Sequence, residues 1–275
     1  MRVRLPARVR SRRRLLLGAA AALVVVAVAA YVAFRVATRE SSEPASVAAA
    51  VARFARLPAS AREQPPALRG RAPQPGVYVY ATRGQEVSHA LGTRRHAYPA
   101  RTTITVSVTA RGCLRERWDV LTTRHDGGLA CPRADGSLRA VAQSESHEFV
   151  GHLDRRAYVC TRGSTYLPAQ LARGATWTSR CAIGGTTTSD RGAVLGPRAL
   201  ALAGGRRVRT VLVRTTTRVG GDTRGAGTTF TWLLPRTRLV VRRTLANASS
   251  TDTIVGAVPY EERAALVLTE PRPRR

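Results

Sequence analysis

The chain has 275 residues and a hydrophobic fraction of 44%, which suffices for a folded core and excludes a disordered chain. Its formal net charge is +28, and all 45 basic residues are arginine. Because arginine cannot replace a catalytic ammonium group, this composition excludes P-loop nucleotide hydrolases, pyridoxal-phosphate enzymes and Ser-x-x-Lys acyl-transfer enzymes. Abundant alanine, arginine and glycine are typical of GC-rich, actinobacterial-type coding, which does not by itself explain 45 positive against 17 negative side chains.

The N-terminus predicts a membrane anchor. Residues 15–34 carry no charge, and at about 1.5 Å per residue they can cross the hydrocarbon of a bilayer as one helix. Residues 1–14 hold seven arginines, whereas the segment directly after the apolar stretch begins with two arginines and two glutamates. The positive-inside rule therefore predicts a cytoplasmic basic stub, a single-pass transmembrane helix and an extracytoplasmic C-terminal domain.

Two alternatives for this segment lead to the same compartment. A cleaved signal peptide would use the small residues Ala27-Val28-Ala29, and the stretch from Ser11 to Leu16 resembles a twin-arginine export signal. No cysteine precedes Cys113, so a lipobox is excluded. A cytoplasmic stub of about fourteen residues is too short to fold as an output domain, which argues against a receptor with its own signalling domain.

Residues 35–75 are interpreted as a stalk. Ser46 can cap a short helix with an apolar stripe through Val47 and Phe54, and this helix either packs on the body or extends the stalk. Four prolines after residue 64 favour an extended, semi-rigid linker. The domain boundary is placed near Gly76.

The remaining segment, 76–275, has a period of two. Runs rich in valine, isoleucine, threonine and aromatic residues alternate with glycine-containing turns. Turns are expected at Asp126-Gly127-Gly128, Asp135-Gly136, Gly184-Gly185, Gly204-Gly205 and Gly220-Gly221. The fold class is therefore mainly β: a curved antiparallel sheet, either a half-barrel or an open barrel, preceded by one transmembrane helix and a short helical, proline-rich stalk.

The run CLRERWDV, residues 113–120, illustrates this alternation. Its inward positions are expected to be Leu114, Trp118 and Val120, although Glu116 interrupts the apolar stripe. No helix longer than two turns is expected in the body, and no repeat of fixed period is visible.

Four cysteines lie in the predicted exterior domain, an even number that suits disulfide bonds in an oxidising compartment. Of the three possible pairings we favour Cys113 with Cys131, and Cys160 with Cys181. Each pair lies on neighbouring predicted strands across one connection, and closing each loop would stabilise the domain by about 3 kcal/mol. A zinc site is the alternative, but the spacings lack a C-x-x-C pair.

The search for catalytic or metal motifs is mostly negative. His147 and His152 resemble a zinc-protease pair, but they lie five residues apart instead of four, which turns the two rings away from each other. Residues 144–148 are interpreted as the polar face and turn of a hairpin, Asp126 as a turn residue, and the other histidines as surface residues. No G-x-S-x-G elbow occurs, and nothing singles out two carboxylates as an acid/base pair. We therefore expect a non-enzymatic domain with no catalytic residue, no cofactor and no metal site.

The arginines indicate a cationic surface. The first forty residues hold nine arginines and one glutamate, which leaves 36 arginines against 16 acids, an excess of +20. Outside a cell this field would attract anionic lipid headgroups, phosphate-bearing wall polymers or extracellular DNA. The candidate anion-binding residues lie in two runs interpreted as strands: Arg207, Arg209, Arg236, Arg238 and Arg242. A solvated face is the alternative, and specific nucleic-acid binding is not expected because no reader motif accompanies the charge.

The C-terminal third carries a strand that ends in a Trp-x-x-Pro turn, followed by a strand with an apolar run. The residues concerned are Gly227, Thr228, Thr229, Trp232, Pro235, Leu239, Val240, Val241 and Arg242. This order resembles the C-terminal half of half-barrel envelope proteins of the lipoprotein-carrier and periplasmic sigma-regulator type. The resemblance implies a sheet curved around an apolar cavity and a lipid or lipoprotein ligand. The chain departs from that group in having neither a lipobox nor an obvious long plug helix.

Together these patterns predict a membrane-tethered envelope domain that binds a lipid, a lipoprotein or an anionic envelope component. The alternative is a structural or protein-interaction domain that docks on a wall polymer or a partner protein through its arginine-rich face. An apolar cavity between the sheet faces would favour the first hypothesis, and a filled core would favour the second.

Overall fold

The computed structural model describes the chain in five segments: 23–33, 43–89, 92–149, 152–253 and 256–275. The chain forms two compact units. Among the described residues, one includes residues 23–33, and the other includes residues 43–89, 92–149, 153–253 and 256–275. In the first unit, residues 23–33 are helical.

The predicted membrane anchor lies partly outside the described residues. This applies to the expected cytoplasmic stub, 1–14, and to residues 15–22 and 34 of the expected transmembrane helix. Within the described segments, no helix combines the length and the apolar character needed to cross a membrane.

The segment before the sheet packs against it. Ser46 caps the helix Val47–Ala55 by accepting a hydrogen bond from the backbone N–H of Ala49, which confirms the predicted cap. The apolar side of this helix buries Phe54 against Val77 of the first strand. The helix therefore lies on the outer face of the sheet, where it covers apolar side chains that would otherwise meet solvent.

Two short helical turns follow, Ala59–Arg62 and the 3-10 turn Pro66–Leu68. The side-chain amide of Gln64 donates to the backbone carbonyls of Leu68 and Ala72, both at 2.9 Å. Leu68 and Ala72 belong to the main hydrophobic core. The proline-rich segment is thus folded onto the domain, because its apolar side chains complete the core; the domain limits drawn from the sequence stay a prediction.

The body is a single sheet of fourteen strands, antiparallel in every pairing given for the described residues. Its strands are β1 Gly76–Ser88, β2 Arg94–Ala97, β3 Arg101–Val108, β4 Leu114–Asp119, β5 His125–Pro132, β6 Leu138–Phe149, β7 His152–Cys160, β8 Thr165–Leu167, β9 Thr176–Ile183, β10 Thr186–Ala201, β11 Arg207–Gly220, β12 Thr223–Leu233, β13 Val240–Thr253 and β14 Gly256–Leu268. The mainly β class predicted from the period of two is confirmed.

Twelve of these strands close into a barrel, so the prediction of a half-barrel or open barrel is wrong. Strands β1 and β14 pair from Tyr80 opposite Leu268 to Ser88 opposite Tyr260. The other side of β1 pairs first with β3 and then with β2. Because β1 is long enough to be paired on both sides, the sheet closes on itself and its edges are removed. Strand β8 lies off the ring and pairs with β6.

Side chains alternate between the two faces of the wall, as the sequence predicts. In the fourth strand and the residue that follows it, Leu114, Trp118 and Val120 are buried in the core. Glu116 lies between them, and its carboxylate accepts a hydrogen bond from the Tyr166 hydroxyl at 2.9 Å. The interruption of the apolar stripe is therefore compensated by a tyrosine from another strand.

One predicted turn is part of a strand. The run Asp126-Gly127-Gly128 lies inside β5, where Asp126 pairs with Glu145 of β6, and the connection from β4 precedes it. A Cβ added to Gly127 would lie 2.4 Å from the Oγ of Ser144. Glycine at this position therefore serves the close approach of β6, not a reversal of the chain. The other predicted glycine turns fall at strand connections.

Both predicted disulfides are confirmed. Cys113–Cys131 joins the residue before β4 to β5, and Cys160–Cys181 joins β7 to β9 at directly opposed positions. Each bridge connects neighbouring strands, so the pairing follows from the order of the strands in the sheet.

The interior of the barrel is packed with large side chains. Tyr78 and Tyr80 of β1 are among the largest fully buried residues. The Tyr80 hydroxyl donates across the interior to the backbone carbonyl of Val240 at 2.8 Å. The rings of Tyr98 and Trp118 pack edge to face, with centroids 5.9 Å apart.

Candidate functional site

Ionisable side chains from several strands meet inside the barrel, around the pairing of β1 with β14. We call this group the inner cluster. It consists of four carboxylates, one guanidinium and two imidazoles: Glu86, Asp126, Glu145, Glu262, Arg124, His96 and His147. Glu86 and Glu262 face each other directly in the β1–β14 ladder, a like-charge pairing that needs compensation.

Arg124 supplies much of that compensation. It stands at the end of the β4–β5 connection, and its side chain is 3% exposed. Its Nη2 lies 3.0 Å from Glu262 Oε1, and its Nε lies 3.4 Å from Glu86 Oε2. It also donates to both oxygens of Asp126, at 2.5 and 3.0 Å. One guanidinium thus joins three carboxylates that come from β1, β5 and β14.

Tyrosine, amide and histidine side chains make further contacts to all four oxygens of the opposed pair. The Tyr98 hydroxyl donates to Glu262 at 2.5 Å, and the Asn247 amide donates to its other oxygen at 3.3 Å. Glu86 accepts from the Tyr260 hydroxyl at 2.9 Å, and the Nδ1 of His96 lies 3.2 Å from its second oxygen.

A second pair of opposed carboxylates lies on the neighbouring hairpin. Asp126 of β5 faces Glu145 of β6 in the ladder, and His147 follows two positions along β6. Carboxylate and imidazole donor atoms of these three residues all lie within 4.8 Å of one another. The Tyr158 hydroxyl donates to Glu145 at 2.8 Å, and the His147 ring meets the edge of Tyr260 with centroids 5.0 Å apart.

The cluster shifts the pKa values of its members. Burial alone raises the pKa of Glu145, but the nearby His147 imidazole and the hydrogen bond from Tyr158 outweigh it and lower that pKa to about 2. Burial of Glu86 is likewise outweighed, chiefly by the nearby His147 imidazole and the hydrogen bond with His96, so its pKa falls below the usual range. Burial lowers the pKa of His147, yet its carboxylate neighbours raise it overall.

A second candidate site lies on the outer face of β9, β10 and β11. This outer groove has a volume of about 540 Å³. It is lined by Thr161, Gly163, Ser164, Thr178, Ser179, Arg180, Ser189, Asp190, Arg191, Thr216 and Arg218. The carboxylate of Asp190 accepts from Gln143 at 3.0 Å and from Thr217 at 2.7 Å. The three arginine side chains are exposed.

The register of the sheet arranges these arginines in a regular pattern. One row across the three strands reads Arg180, Ser189, Arg218, and the next row reads Thr178, Arg191, Thr216. Neighbouring strands lie about 4.8 Å apart, and two residues along a strand span about 7 Å. Guanidinium and hydroxyl groups therefore alternate both along the strands and across them. An anionic ligand lying on this face would meet positive charge and hydrogen-bonding hydroxyls together.

The arginines singled out from the sequence have different surroundings. Arg207 and Arg209 are exposed on β11. Arg236 and Arg238 lie in the β12–β13 connection and not on a strand with Arg242, because β13 begins only at Val240. This corrects the interpretation of the run that contains Arg236, Arg238 and Arg242 as one strand.

Two of these side chains already have protein partners. Arg238 donates to the backbone carbonyls of Gly136 and Ala169, at 3.1 and 2.9 Å. Arg242 stacks on the Trp232 ring at 4.9 Å. Arg207, Arg209 and Arg236 remain the more accessible members of the set, and anion binding by all five stays a prediction.

Sequence reasoning missed the inner cluster. It placed Asp126 in a turn and His96 on the surface, whereas the structure brings both into the group around Arg124. The alternation of side chains along a strand could have indicated it. Glu86 lies an even number of residues from the buried Tyr80 in β1, and Glu262 lies an even number from the buried Leu266 in β14, so each shares the inward face. A charged residue at an inward position of a barrel strand needs a partner inside the barrel.

No protein-family model matches the chain, and neither a curated protein nor a solved structure shows significant similarity to it. The resemblance to half-barrel envelope proteins therefore stays a prediction, and functional interpretation depends on the residues themselves.

Proposed function

We propose that the chain is a membrane-tethered, extracytoplasmic binding domain without catalytic activity. The arginines of its outer groove, Arg180, Arg191 and Arg218, bind an anionic component of the cell envelope. The anchor and its orientation are supported by the uncharged stretch 15–34 and the seven arginines before it. Export is supported by the two disulfides, which persist mainly in oxidising compartments.

The outer groove is the observation that carries the proposal. Arg180, Arg191 and Arg218 converge on one face of three adjacent strands, with hydroxyl side chains between them. Guanidinium groups bind phosphate and carboxylate with paired hydrogen bonds, and hydroxyls can bond the polyol or sugar units of a polymer. The pattern favours a polymer with repeated anionic groups over a single small anion.

An apolar ligand held inside the barrel is less well supported. The space that a lipid chain would occupy contains the buried side chains of Tyr78, Tyr80 and Trp118, and next to them the charged inner cluster. A filled core favours recognition on the outside of the wall. The alternative of docking on a partner protein would use the same cationic face.

The test compares two triple variants that remove the same charge. The groove variant is Arg180→Ala with Arg191→Ala and Arg218→Ala, and the matched control carries alanine at Arg207, Arg209 and Arg236. Binding to an immobilised phosphate-bearing wall polymer is measured between about 50 and 200 mM salt, where contacts to phosphate weaken steeply.

The proposal expects salt-dependent binding by the wild type, a loss of at least about tenfold in the groove variant, and a much smaller loss in the control. Equal losses in both variants would show that only the general positive field matters. A loss confined to the control would move the site to the arginines predicted from the sequence. No binding by the wild type at low salt, or binding to anionic vesicles alone, would overturn polymer recognition.

A further inference from the structure

Three potential metal ligands come together on the β5–β6 hairpin. Asp126 and Glu145 face each other in the ladder, and His147 lies two positions further along β6. One donor atom from each side chain lies within 4.8 Å of the other two. We infer that Asp126, Glu145 and His147 bind a divalent metal ion, independently of any anion bound by the outer groove.

The charge of the inner cluster favours a cation at this point. Its four carboxylates and single guanidinium leave an excess of three negative charges when the imidazoles are neutral. Arg124 shares its charge among Glu86, Asp126 and Glu262, so Glu145 lies outside its direct contacts. Uncompensated charge in a buried setting is costly, and a dication would remove most of the excess.

The surroundings of His147 match those of a ligand histidine. Its Nε2 faces Glu145 Oε2 at 3.8 Å, while its Nδ1 faces Glu86 Oε2 at 3.8 Å. A carboxylate behind the second ring nitrogen is the usual partner that orients a histidine toward a metal. The Tyr158 hydroxyl holds Oε1 of Glu145, which leaves Oε2 on the side of the imidazole.

Asp126, the third proposed ligand, is also oriented by a neighbouring side chain. Arg124 contacts both oxygens of Asp126, each of which keeps a lone pair for a metal. The side chains of Asp126 and Glu145 are 36% and 33% exposed, whereas that of His147 is 12% exposed. An ion can therefore enter from solvent and reach the buried nitrogen.

The donor set indicates the kind of metal. Two carboxylate oxygens and one imidazole nitrogen suit Zn²⁺ or Mn²⁺, and no thiolate is available because all four cysteines are in disulfides. Three protein ligands leave coordination positions for water, as in sites that are open on one side.

Calorimetric titration of Zn²⁺, and separately of Mn²⁺, into the chelator-treated, oxidised full chain tests the inference. We expect one ion per chain with a dissociation constant in the micromolar range or below. His147→Ala and Glu145→Gln should each weaken metal binding by at least about 100-fold. This exceeds the loss of affinity typical when a residue that only hydrogen-bonds a metal ligand is replaced. Glu145→Gln keeps the size of the side chain and an oxygen for Tyr158, so it separates lost ligation from misfolding.

His96→Ala is the matched control, because His96 lies in the same cluster and contacts Glu86 but is not one of the three ligands. It should keep the affinity within about tenfold of the wild type. Circular dichroism of each variant establishes that it is folded. The inference is overturned if the wild type takes up neither ion, or if His96→Ala loses as much affinity as His147→Ala.

Discussion

Arg124 and Glu262 form an ion pair at 3.0 Å inside the barrel, although they lie 138 residues apart in the chain. Both side chains are only 3% exposed. The pair joins the β4–β5 connection to the last strand, which the closure of the barrel brings beside β1. Such a buried pair adds little net stability compared with apolar residues, but breaking it is costly because one charge is left without a partner.

Arg124→Ala should therefore lower the free energy of unfolding by about 3–5 kcal/mol. The variant leaves the opposed carboxylates of Glu86 and Glu262 buried without the guanidinium that contacts both. Guanidinium chloride denaturation of the oxidised protein measures the loss. Arg224→Ala is the control, since Arg224 pairs with Asp252 on the surface, where the side chains are 70% and 54% exposed. The control should lose at most about 1 kcal/mol, and equal losses would contradict the role assigned to Arg124.

The pKa of Glu145 predicts a specific dependence of stability on pH. Burial raises this pKa, but the nearby His147 imidazole and the hydrogen bond from Tyr158 lower it to about 2. A carboxylate whose pKa is lower in the folded state stabilises the fold above its unfolded pKa of about 4.3. This contribution is lost as the pH falls from there towards 2. His147, whose pKa is raised in the folded state, contributes below about 6.5 and loses its contribution as the pH rises through the folded value.

The difference in unfolding free energy between wild type and Glu145→Gln should therefore be largest between about pH 4.5 and 6.5 and should shrink on acidification. Urea denaturation of the chelator-treated protein at a series of pH values measures it. Glu270→Gln is the control: Glu270 is 55% exposed beside Arg274, and this substitution should change stability by no more than about 1 kcal/mol at any pH. A difference for Glu145→Gln that stays constant down to pH 2 would contradict the prediction.

The features that the sequence predicts correctly depend on nearby residues. Strand parity around Trp118 and the helix cap at Ser46 are read within one run of residues. The disulfides follow from adjacent strands, with partners only 18 and 21 positions apart. In each case the period of the strand, or the need to satisfy a backbone donor, acts over a short stretch of chain.

The features that the sequence leaves open depend on contacts over long distances. Nothing within β1 indicates that it pairs with β14, so an open and a closed sheet have the same local pattern. The inner cluster has the same origin, since Glu86 and Glu262 meet only through that closure. The run Asp126-Gly127-Gly128 was misread because a glycine needed for close approach to Ser144 looks the same as a glycine needed for a turn.

The two disulfides should contribute similar stability. Their loops span 18 and 21 positions, so each bridge lowers the conformational entropy of the unfolded chain by nearly the same amount. Replacing both cysteines of either pair by serine should lower the free energy of unfolding by about 3 kcal/mol, as measured by chemical denaturation. A double variant of Cys160 and Cys181 that is as stable as the wild type would show that this bridge does not constrain the unfolded chain.

Gly84 offers a direct test of the closure of the barrel. A Cβ added there would lie 2.5 Å from the backbone carbonyl oxygen of Arg263 in β14 and 2.8 Å from the Tyr98 ring. The oxygen belongs to the paired backbone, so it cannot move away without disturbing the β1–β14 ladder. Gly84→Ala should therefore lower the free energy of unfolding by about 1–3 kcal/mol or more, measured by thermal unfolding. It should also displace Tyr98, whose hydroxyl donates to Glu262.

Gly128→Ala is the control for this substitution, because a Cβ added at that β5 position meets no atom within 4 Å. It should change the free energy of unfolding by no more than about 0.5 kcal/mol. If Gly84→Ala were as stable as Gly128→Ala, the backbones of β1 and β14 would have to lie further apart than the ladder requires. The barrel would then be open at this seam, and the inner cluster would lose the pairing that brings Glu86 and Glu262 together.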